Sequence, residues 1–284
     1  MEKMVSILYA DGGQGPEWCD LYAAEALREK GHSVEFIDVS GRRLPDGDII
    51  LNRVYPSMTS GNGLAADTLR VLECMESEGR KTVNTASSST YGYDKYLAHQ
   101  KLWSSGGIQT PKTYLIEDLE SAMYACEELG FPAVLKRNTG GGSVRLLKEQ
   151  EEAGRYLKGL IGHTNGYQGK YILQKFVEPV EPYDIRISIV DGEPRTAVKS
   201  ALKGADAENP WRSMADSDIS RYDSRWEEYD LAFNAAAALG AYVDTVEMRF
   251  GPTGAVVIGN DLTPRPENNR RGARQIRDML KVIG

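Results

Sequence analysis

The segment "VLKRNTGGGSVRLL", residues 134–147, places three consecutive glycines between two strand-like stretches. Residues 131–137 before the glycines and 144–147 after them are typical of strands, so the segment predicts a short hairpin with a flexible tip. Glycine lets backbone N–H groups approach a ligand closely, and a run of such donors beside Lys136 suits a polyphosphate. A hairpin turn that binds no ligand is the simpler interpretation, and it would be preferred if this segment were considered without the rest of the chain.

Length and composition predict a soluble globular chain of two or three lobes. The chain has 284 residues, which is long for a single core. Hydrophobic residues make up 41% and charged residues 26%, which is ordinary for a soluble protein. We find neither an apolar run of about 20 residues nor a signal-peptide layout, so no membrane partner is predicted. A formal net charge of −7 argues against a nucleic acid partner, and the densest basic stretch, "RPENNRRGARQIR", is interpreted as the start of a solvated terminal helix.

The cysteines and histidines are isolated from one another in the sequence. Three widely spaced cysteines favour reduced thiols and a cytoplasmic protein over a disulfide framework or a zinc site. Three scattered histidines argue against a histidine metal site. These residues are Cys19, Cys74, Cys126, His32, His99 and His163.

The first 92 residues alternate strand-like and helix-like segments in the order βαββαβ. The strands are "VSILYA", "HSVEFIDV", "DIILNRV" and "KTVNTA", and this order implies a small, mostly parallel open sheet. The turn "DGGQGP" after the first strand lacks the full G-x-G-x-x-G spacing, which favours a plain strand-to-helix turn over a dinucleotide site.

From Tyr93 onward the pattern changes to helices and antiparallel hairpins. "YDKYLAHQKLWSSGG" predicts a helix, and "DLESAMYACEELG" predicts an amphipathic helix capped by Asp118 and ended by Gly130. After the glycine hairpin come a helix over residues 149–161, the strand "KYILQKFV", and two hairpins, "DIRISIVDGEPRTAVKS" and "YVDTVEMRFGPTGAVVIGNDL". The fold class is therefore α/β and α+β, in three parts: residues 1–92, 93–172 and 173–284.

Alternation along the last hairpin predicts one apolar and one polar face, because successive strand residues face opposite sides. Two acids beside an arginine on the polar face can hold Mg²⁺, which prefers oxygen ligands; an exposed polar face of an antiparallel sheet is the alternative. In the preceding hairpin, Asp184 and Arg186 also share a face. The predicted apolar face comprises Val246, Met248, Phe250, Val256, Ile258 and Leu262, and the polar face Glu247, Arg249, Gly259 and Asp261.

The segment "YILQKFVEP" is an apolar strand that leads into an extended stretch containing Glu178. The edge of such a strand offers backbone groups that can recognise adenine. An acid a few residues further on can accept hydrogen bonds from ribose hydroxyls. The segment therefore favours a nucleotide site beside the glycine hairpin.

Five pieces of sequence in this order resemble the ATP-grasp ligases, and within them the RimK-like carboxylate–amine ligases, including the LysX type. The pieces are "DKYLAHQKL…GGIQTPKT", "FPAVLKRNTGGGSV", "YILQKFVEP…DIRISIVDGEPRTAVKS", "WRSMADSD" and "VEMRF…VVIGNDLTP". The resemblance covers most of the chain, from Tyr93 to Pro264. It implies a pre-ATP-grasp domain over residues 1–92, a small lid lobe over 93–172 and a C-terminal antiparallel β lobe over 173–284.

The resemblance also implies roles for particular residues, with ATP and Mg²⁺ as the cofactors. The lysines contact phosphates, the glycine hairpin covers the triphosphate, the segment 174–177 forms the adenine hinge, and the arginines steady phosphate and acyl oxygens. The implied nucleotide-binding residues are Lys95, Lys136, Gly140, Gly141, Gly142, Ser143, Gln174, Lys175, Phe176, Val177 and Glu178. The implied catalytic residues are Arg186 and Arg212, and the implied metal ligands are Glu247 and Asp261.

Departures from the family pattern concentrate around the metal site. The last strand usually carries Glu-x-Asn, but here it reads Gly259-Asn260-Asp261, so the glutamate that commonly bridges two magnesium ions is missing. Arg265 replaces the glycine that follows Thr-Pro, and Met214 replaces an asparagine. Three explanations remain open: one metal ion suffices, a neighbour such as Asn260 or Glu267 substitutes, or the protein binds nucleotide and turns over poorly.

The resemblance predicts an enzyme that forms an amide or peptide bond from a carboxylate substrate and the amine of an amino acid or peptide, through an acyl phosphate. Arg53, Arg212 and Arg265 are candidate carboxylate contacts, since arginine can grip a carboxylate with two hydrogen bonds; for each of them taken singly, a structural role is the favoured interpretation. The alternative is a degenerate ATP-grasp protein that binds nucleotide as a regulator with little turnover, and the missing glutamate keeps it open. The identity of the substrates and the assembly state, including a homodimer, are not readable from the sequence.

Overall fold

The computed structural model describes residues 2–10, 15–41, 43–59, 63–140, 144–162, 171–202, 219–266 and 268–284. Within these ranges there are eight α-helices and thirteen strands, and the strands form three sheets. None of the described helices is long and apolar enough to cross a membrane. The predicted residues Gly141, Gly142, Ser143 and Arg212 lie outside the described residues.

The first sheet is parallel throughout, in the order β2–β1–β3–β4. Alternate residues of β1 enter different cores: Val5 and Ile7 pack with helix α1, and Leu8 packs with helix α2. Helices therefore cover both faces, as expected for a parallel sheet, and the prediction of a small parallel open sheet is confirmed. The elements are β1 (Met4–Tyr9), α1 (Trp18–Glu29), β2 (Ser33–Asp38), β3 (Ile49–Asn52), α2 (Leu64–Ser77) and β4 (Lys81–Val83).

The chain returns to this first sheet at its C-terminal end. Ile276 and Met279 of helix α8 (Arg270–Met279) are buried in the same core as Val5 and Ile7. The last helix thus packs on the N-terminal sheet, although the third predicted part runs through residue 284.

Two short helices connect the first sheet to the rest of the chain, α3 (Ala86–Tyr93) and α4 (Lys95–Ser104). The sequence patterns did not predict α3. Asp94 separates the two helices with an extended backbone, and its side chain accepts a hydrogen bond from the N–H of Leu97, 2.9 Å away. This N-cap makes Lys95 the first residue of α4.

The second sheet is antiparallel, in the order β5–β8–β6–β7, with helices α5 and α6 packed on it. Strands β6 and β7 pair antiparallel across the glycines, so the predicted hairpin is confirmed. Helix α5 is capped by Asp118 and ends before Gly130, as predicted. β8 crosses the expected boundary at residue 172. The elements are β5 (Thr113–Ile116), α5 (Leu119–Leu129), β6 (Ala133–Arg137), β7 (Arg145–Leu147), α6 (Gln150–Gly162) and β8 (Tyr171–Lys175).

The third sheet is also antiparallel, in the order β11–β10–β9–β12–β13. Helices α4 and α7 bury one face of it, through alternate residues such as Ile187 and Met248. The predicted Asp-Gly turn is confirmed, with positive φ at both Asp191 and Gly192. The elements are β9 (Tyr183–Val190), β10 (Glu193–Ala201), β11 (Ile219–Arg221), α7 (Trp226–Ala238), β12 (Val243–Gly251) and β13 (Gly254–Asp261).

A β-bulge in β13 corrects the predicted alternation. Glu247 pairs with Gly259, but the next residue, Met248, pairs with Val257, so Ile258 is the extra residue. As a result, Val257 joins the buried core of this sheet, and the prediction that Val256 and Ile258 share that face was wrong. A bulge changes the side-chain phase on one side of the inserted residue only. The pairing of Glu247 with Gly259 is therefore unaffected.

The Asn84 side chain joins the first sheet to the third. Its Nδ2 donates to the carbonyl oxygens of Val243 and Leu262, at 2.7 and 2.8 Å. Its Oδ1 accepts from the N–H groups of Tyr242 and Val243, at 2.7 and 2.9 Å. These four bonds hold the start of β12 and the end of β13, which carries Asp261, against the end of β4.

Candidate active site

The exposed face of the third sheet carries a row of paired charges. The register places Asp184 of β9 opposite Arg249 of β12, and Arg186 opposite Glu247. Arg249 is buried, and its Nε and Nη2 donate to the two carboxylate oxygens of Asp184 at 2.7 and 2.6 Å. Such a two-bond pair orients both side chains. It forms a rigid base beside the residues predicted to act on ATP.

The next pair in this row is Arg186 and Glu247, and the charge of Glu247 acts on a second carboxylate, that of Asp261. Arg186 Nε lies 2.8 Å from Glu247 Oε1, and the Glu247 side chain is 36% exposed. Asp261 accepts a hydrogen bond from the N–H of Thr263 at 3.1 Å. Burial raises the pKa of Asp261, and the negative charge of Glu247 raises it further. A divalent cation would offset this repulsion, so the two carboxylates fit Mg²⁺.

The structure supplies no third acidic ligand from the residues that it describes. Within those ranges, no group of three or more histidine, cysteine, aspartate or glutamate side chains could hold a metal ion. Asn260 pairs with Val246, whose side chain is in the buried core of the third sheet, and its amide nitrogen donates to Asp244 Oδ2 at 2.6 Å, so its side chain lies on the face opposite that of Glu247. Burial raises the pKa of Asp244 to about 7. Glu267, the other suggested substitute, lies outside the described residues.

Lys136 lies between the second and third sheets. Its Nζ donates to Gln174 Oε1 at 2.9 Å and to the carbonyl oxygen of Ile258 at 3.1 Å. Burial lowers the pKa of Lys136 to about 8, although the nearby Glu247 favours the charged form. The ammonium therefore has few compensating charges, and it would gain from an added anion.

Lys95 connects helix α4 to the base of the glycine hairpin. Its Nζ donates to the carbonyl oxygen of Gly140 at 2.5 Å, and its backbone N–H donates to the carbonyl oxygen of Asn138 at 3.1 Å. Burial lowers the pKa of Lys95, opposed by the charges of Asp261 and then Glu247. Those opposing charges show that Lys95 and the two carboxylates belong to one electrostatic cluster.

The predicted hinge begins at the end of β8. Gln174 is buried, and its side chain binds Lys136, while Lys175 Nζ points away to the carbonyl oxygen of Leu129, 2.8 Å distant. A cavity of about 570 Å³ is lined by Lys175, Phe176, Val177 and Glu178 together with residues of α4, the α4–β5 connection, β12 and β13. A much smaller space, of about 10 Å³, is lined by Val134, Lys136, Gln174, Lys175, Val177, Arg249 and Ile258.

The two candidate substrate arginines differ in accessibility. Arg53 is 2% exposed, and its guanidinium donates to Asp20, to the carbonyl oxygen of Pro264 and to the hydroxyl of Tyr55. These partners occupy its donors, so the arrangement supports the structural role and argues against Arg53 as a carboxylate contact. Arg265 is 56% exposed and pairs with Glu17 at 2.5 Å.

A family model of the RimK-like ATP-grasp domain matches residues 92–262, which is more than half of the chain. The chain belongs to the RimK-like ATP-grasp family. The match begins just before α4 and ends just after β13, so it contains Lys95, Lys136, Arg186, Glu247 and Asp261.

Curated relatives of this RimK-like protein are named as glutamate ligases. A probable alpha-L-glutamate ligase of Xanthomonas euvesicatoria pv. vesicatoria (strain 85-10) is 27% identical over 260 residues, which cover 84% of this chain and 83% of the relative. A ribosomal protein bS6--L-glutamate ligase of Salmonella paratyphi B (strain ATCC BAA-1250 / SPB7) is 26% identical over 283 residues, covering 92% and 88%.

Solved structures share the fold over nearly the whole chain. A RimK domain ATP-grasp protein from Sphaerobacter thermophilus DSM 20745 has a TM-score of 0.73 at 18% identity, covering 99% of this chain and 100% of that one. The ATP-grasp ligase PsnB, solved with its minimal precursor, Mg and ADP, has a TM-score of 0.69 at 14% identity, covering 99% and 97%. The protein is therefore an ATP-grasp carboxylate–amine ligase, of a family whose ligases use ATP with Mg²⁺.

One buried residue beside this RimK-like site, His99, was not predicted. His99 is isolated from the other histidines in the sequence, but in the structure its ring lies 3.0 Å from the Gln174 side chain. The spacing offers a signal that could have found it, because residues four apart on a helix lie on the same face and His99 follows Lys95 by four.

Proposed function

We propose that this protein joins a substrate carboxylate to the amine of an amino acid or peptide, through an acyl phosphate made with ATP. One observation carries this proposal. Lys95 of α4 donates to the carbonyl oxygen of Gly140 in the glycine hairpin, and Lys136 of β6 donates to the carbonyl oxygen of Ile258, the neighbour of the Gly259 that pairs with Glu247. Paired cations and carboxylates beside a glycine hairpin suit a triphosphate and its metal ion.

Each residue of the cluster has a part in this proposal. Lys136 and Lys95 neutralise phosphate charge, and Glu247 and Asp261 hold Mg²⁺, which when bound withdraws charge from phosphate oxygens. Arg186 and Arg212 steady phosphate and acyl oxygens. The backbone of Gly140, Gly141, Gly142 and Ser143 covers the triphosphate. The backbone of Gln174, Lys175, Phe176 and Val177 recognises adenine, and Glu178 contacts ribose.

The reaction requires no nucleophilic side chain. A substrate carboxylate oxygen forms a bond to the γ-phosphorus of ATP as the bond between that phosphorus and the ADP oxygen breaks. The amine nitrogen then attacks the acyl carbon, phosphate leaves, and the amine loses a proton to give the amide. The protein contributes by positioning the reactants and stabilising charge, which Lys136, Lys95 and Arg186 can do as fixed cations.

The relatives suggest L-glutamate as the first amine substrate to test. Arg265 is an accessible cation four residues after Asp261. Arg212 is a second candidate for gripping a substrate carboxylate. A cytoplasmic location and the assembly state, including a homodimer, stay predictions. Nothing in the comparisons favours the alternative of a nucleotide-binding regulator with little turnover.

Release of ADP tests the proposed function. The protein is incubated with ATP, Mg²⁺ and pools of amino acids and short peptides, with and without L-glutamate, and products are identified by mass spectrometry. We expect ADP release that depends on a substrate pool, with an amide product heavier than its precursor by one residue. Lys136→Met should abolish it, while Lys101→Met, which removes an exposed lysine of α4, should not. ATP binding without any product would favour the regulator.

A further inference from the structure

A buried histidine lies behind the lysine that is proposed to contact ATP. His99 of α4 is 6% exposed, and its Nε2 lies 3.0 Å from Gln174 Nε2. An amide nitrogen can only donate, so the ring nitrogen accepts, which places the ring proton on Nδ1. Burial lowers the pKa of His99 to about 3, with Lys136 and Lys95 lowering it further. The ring is therefore neutral near neutral pH.

The hydrogen bonds around Gln174 favour one orientation of its amide. Nε2 donates to His99 and also to Thr113 Oγ1, 3.0 Å away, and the Thr113 hydroxyl in turn donates to the carbonyl oxygen of Pro111 at 2.8 Å. Oε1 therefore faces Lys136 and accepts from its ammonium. The reversed amide would present an N–H to the Lys136 ammonium and its oxygen to the Thr113 hydroxyl, which already donates to Pro111, and both contacts would be unfavourable.

We propose that His99 is a positioning residue, which holds the Gln174 amide so that its oxygen faces Lys136 and keeps that lysine charged and aimed at the nucleotide. The statement that Lys136 is aimed at the nucleotide rests on the proposed function. The statement that the Gln174 oxygen keeps Lys136 charged does not. Packing alone does not account for the histidine. Its Nδ1 is buried and has no partner among the described residues, and burying an N–H unpaired lowers stability relative to an apolar side chain.

Several charges face Lys136 from the elements packed around it. Glu247 of β12 and Asp184 of β9 favour the ammonium, whereas Lys95 of α4 and Arg249 of β12 disfavour it. Substituting the neutral His99 changes none of them. A change in the pKa of Lys136 in a His99 variant therefore reports on the Gln174 contact.

The test is an NMR titration of Lys136 in the free protein, with lysine labelled at Cε, combined with binding of a non-hydrolysable ATP analogue at pH 6 and pH 8. His99→Met removes the acceptor and keeps side-chain bulk, with His99→Leu as a second apolar variant if the first unfolds. His99→Gln restores an acceptor at a similar reach. Gln100→Ala, at the exposed neighbouring position, is the control.

In His99→Met the amide nitrogen loses one of its two acceptors and keeps only Thr113, so Oε1 is held less firmly against Lys136 and the pKa of Lys136 should fall from about 8. A fall of about one unit would reduce the protonated fraction at pH 8 roughly fivefold. We expect a loss of affinity of that order at pH 8 and little loss at pH 6. His99→Gln and Gln100→Ala should resemble the wild-type protein.

An unchanged pKa of Lys136 in His99→Met, or equal affinity losses at both pH values without recovery in His99→Gln, would overturn the proposal. The titration needs no nucleotide, so it decides the role of His99 independently of ligase function. A wild-type protein that fails to bind the analogue would count against the proposed function alone.

Discussion

Replacing Gly259 by glutamate restores the residue that the family usually carries and tests the metal site. A Cβ at this position would lie 3.1 Å from Glu247 Oε2. The new carboxylate would lie about 5 Å from the existing one, and two like charges at that distance repel by about 3 kcal/mol at an effective dielectric constant of 20. Exposure of Glu247 and its pairing with Arg186 reduce this repulsion. We therefore expect Gly259→Glu to be less stable than the wild-type protein by about 1–2 kcal/mol when no metal is present.

Urea unfolding with EDTA and with Mg²⁺ measures this effect. Gly259→Gln is the matched control, because it adds the same bulk without charge. In EDTA, Gly259→Glu should be less stable than Gly259→Gln, and Mg²⁺ should stabilise Gly259→Glu by more than it stabilises either Gly259→Gln or the wild-type protein. Equal stability of the two variants, with no selective effect of Mg²⁺, would refute the metal assignment of Glu247. ADP release that appears only in Gly259→Glu would instead support the degenerate-ligase alternative.

Three further changes test neighbouring parts of the site. ATP-analogue affinity of the wild-type protein should weaken as pH rises through about 8, because the Lys136 ammonium is lost above its lowered pKa; calorimetry from pH 6 to 9 should show no such slope in Lys136→Met. Arg249→Met leaves the half-buried Asp184 unpaired and should cost about 3–5 kcal/mol in urea unfolding, most of it recovered in Arg249→Met/Asp184→Asn; a cost below about 1 kcal/mol would contradict the buried pair. Hydrogen exchange should slow at Gly140 when the ATP analogue binds, and an unchanged rate there with protection elsewhere would contradict the lid.

Local signals predicted most of the hairpins and capped helices. The turn at Asp191 and Gly192 has the positive φ angles that an Asp-Gly pair adopts readily. Asp118 caps α5 through a hydrogen bond to the N–H of Ser121, as its sequence position indicated. Such features depend on neighbouring residues alone, so a single sequence contains them.

Features that depend on distant partners were not predictable. The extra residue in β13 leaves no local mark, so the alternation placed Ile258 on the wrong face. Helix α3 has a serine-rich sequence of weak helical propensity, and its buried residues pack against other elements. The donors of Arg53 are occupied partly by the carbonyl oxygen of Pro264, which lies 211 positions away.

The candidate site was predictable in its parts but not in its geometry. Alternation alone placed Glu247 and Asp261 on one face, and the glycine hairpin already pointed to Lys136, while the role of Lys95 came from the resemblance. Which charges pair could be read only from the register of β9, β12 and β13: Arg249 binds Asp184, and Arg186 binds Glu247. The role proposed for His99 could be inferred only from the orientation of the Gln174 amide in the structure.

Transfer of ¹⁸O from a substrate carboxylate to phosphate tests the acyl-phosphate ligation most directly. Peptides and amino acids that support ADP release are prepared with ¹⁸O in their carboxylates, and the released phosphate and the amide product are analysed by mass spectrometry. We predict one ¹⁸O atom in phosphate for each amide bond formed, because the carboxylate oxygen that attacks the γ-phosphorus leaves with it. Phosphate without label, or AMP and pyrophosphate in place of ADP, would contradict the mechanism.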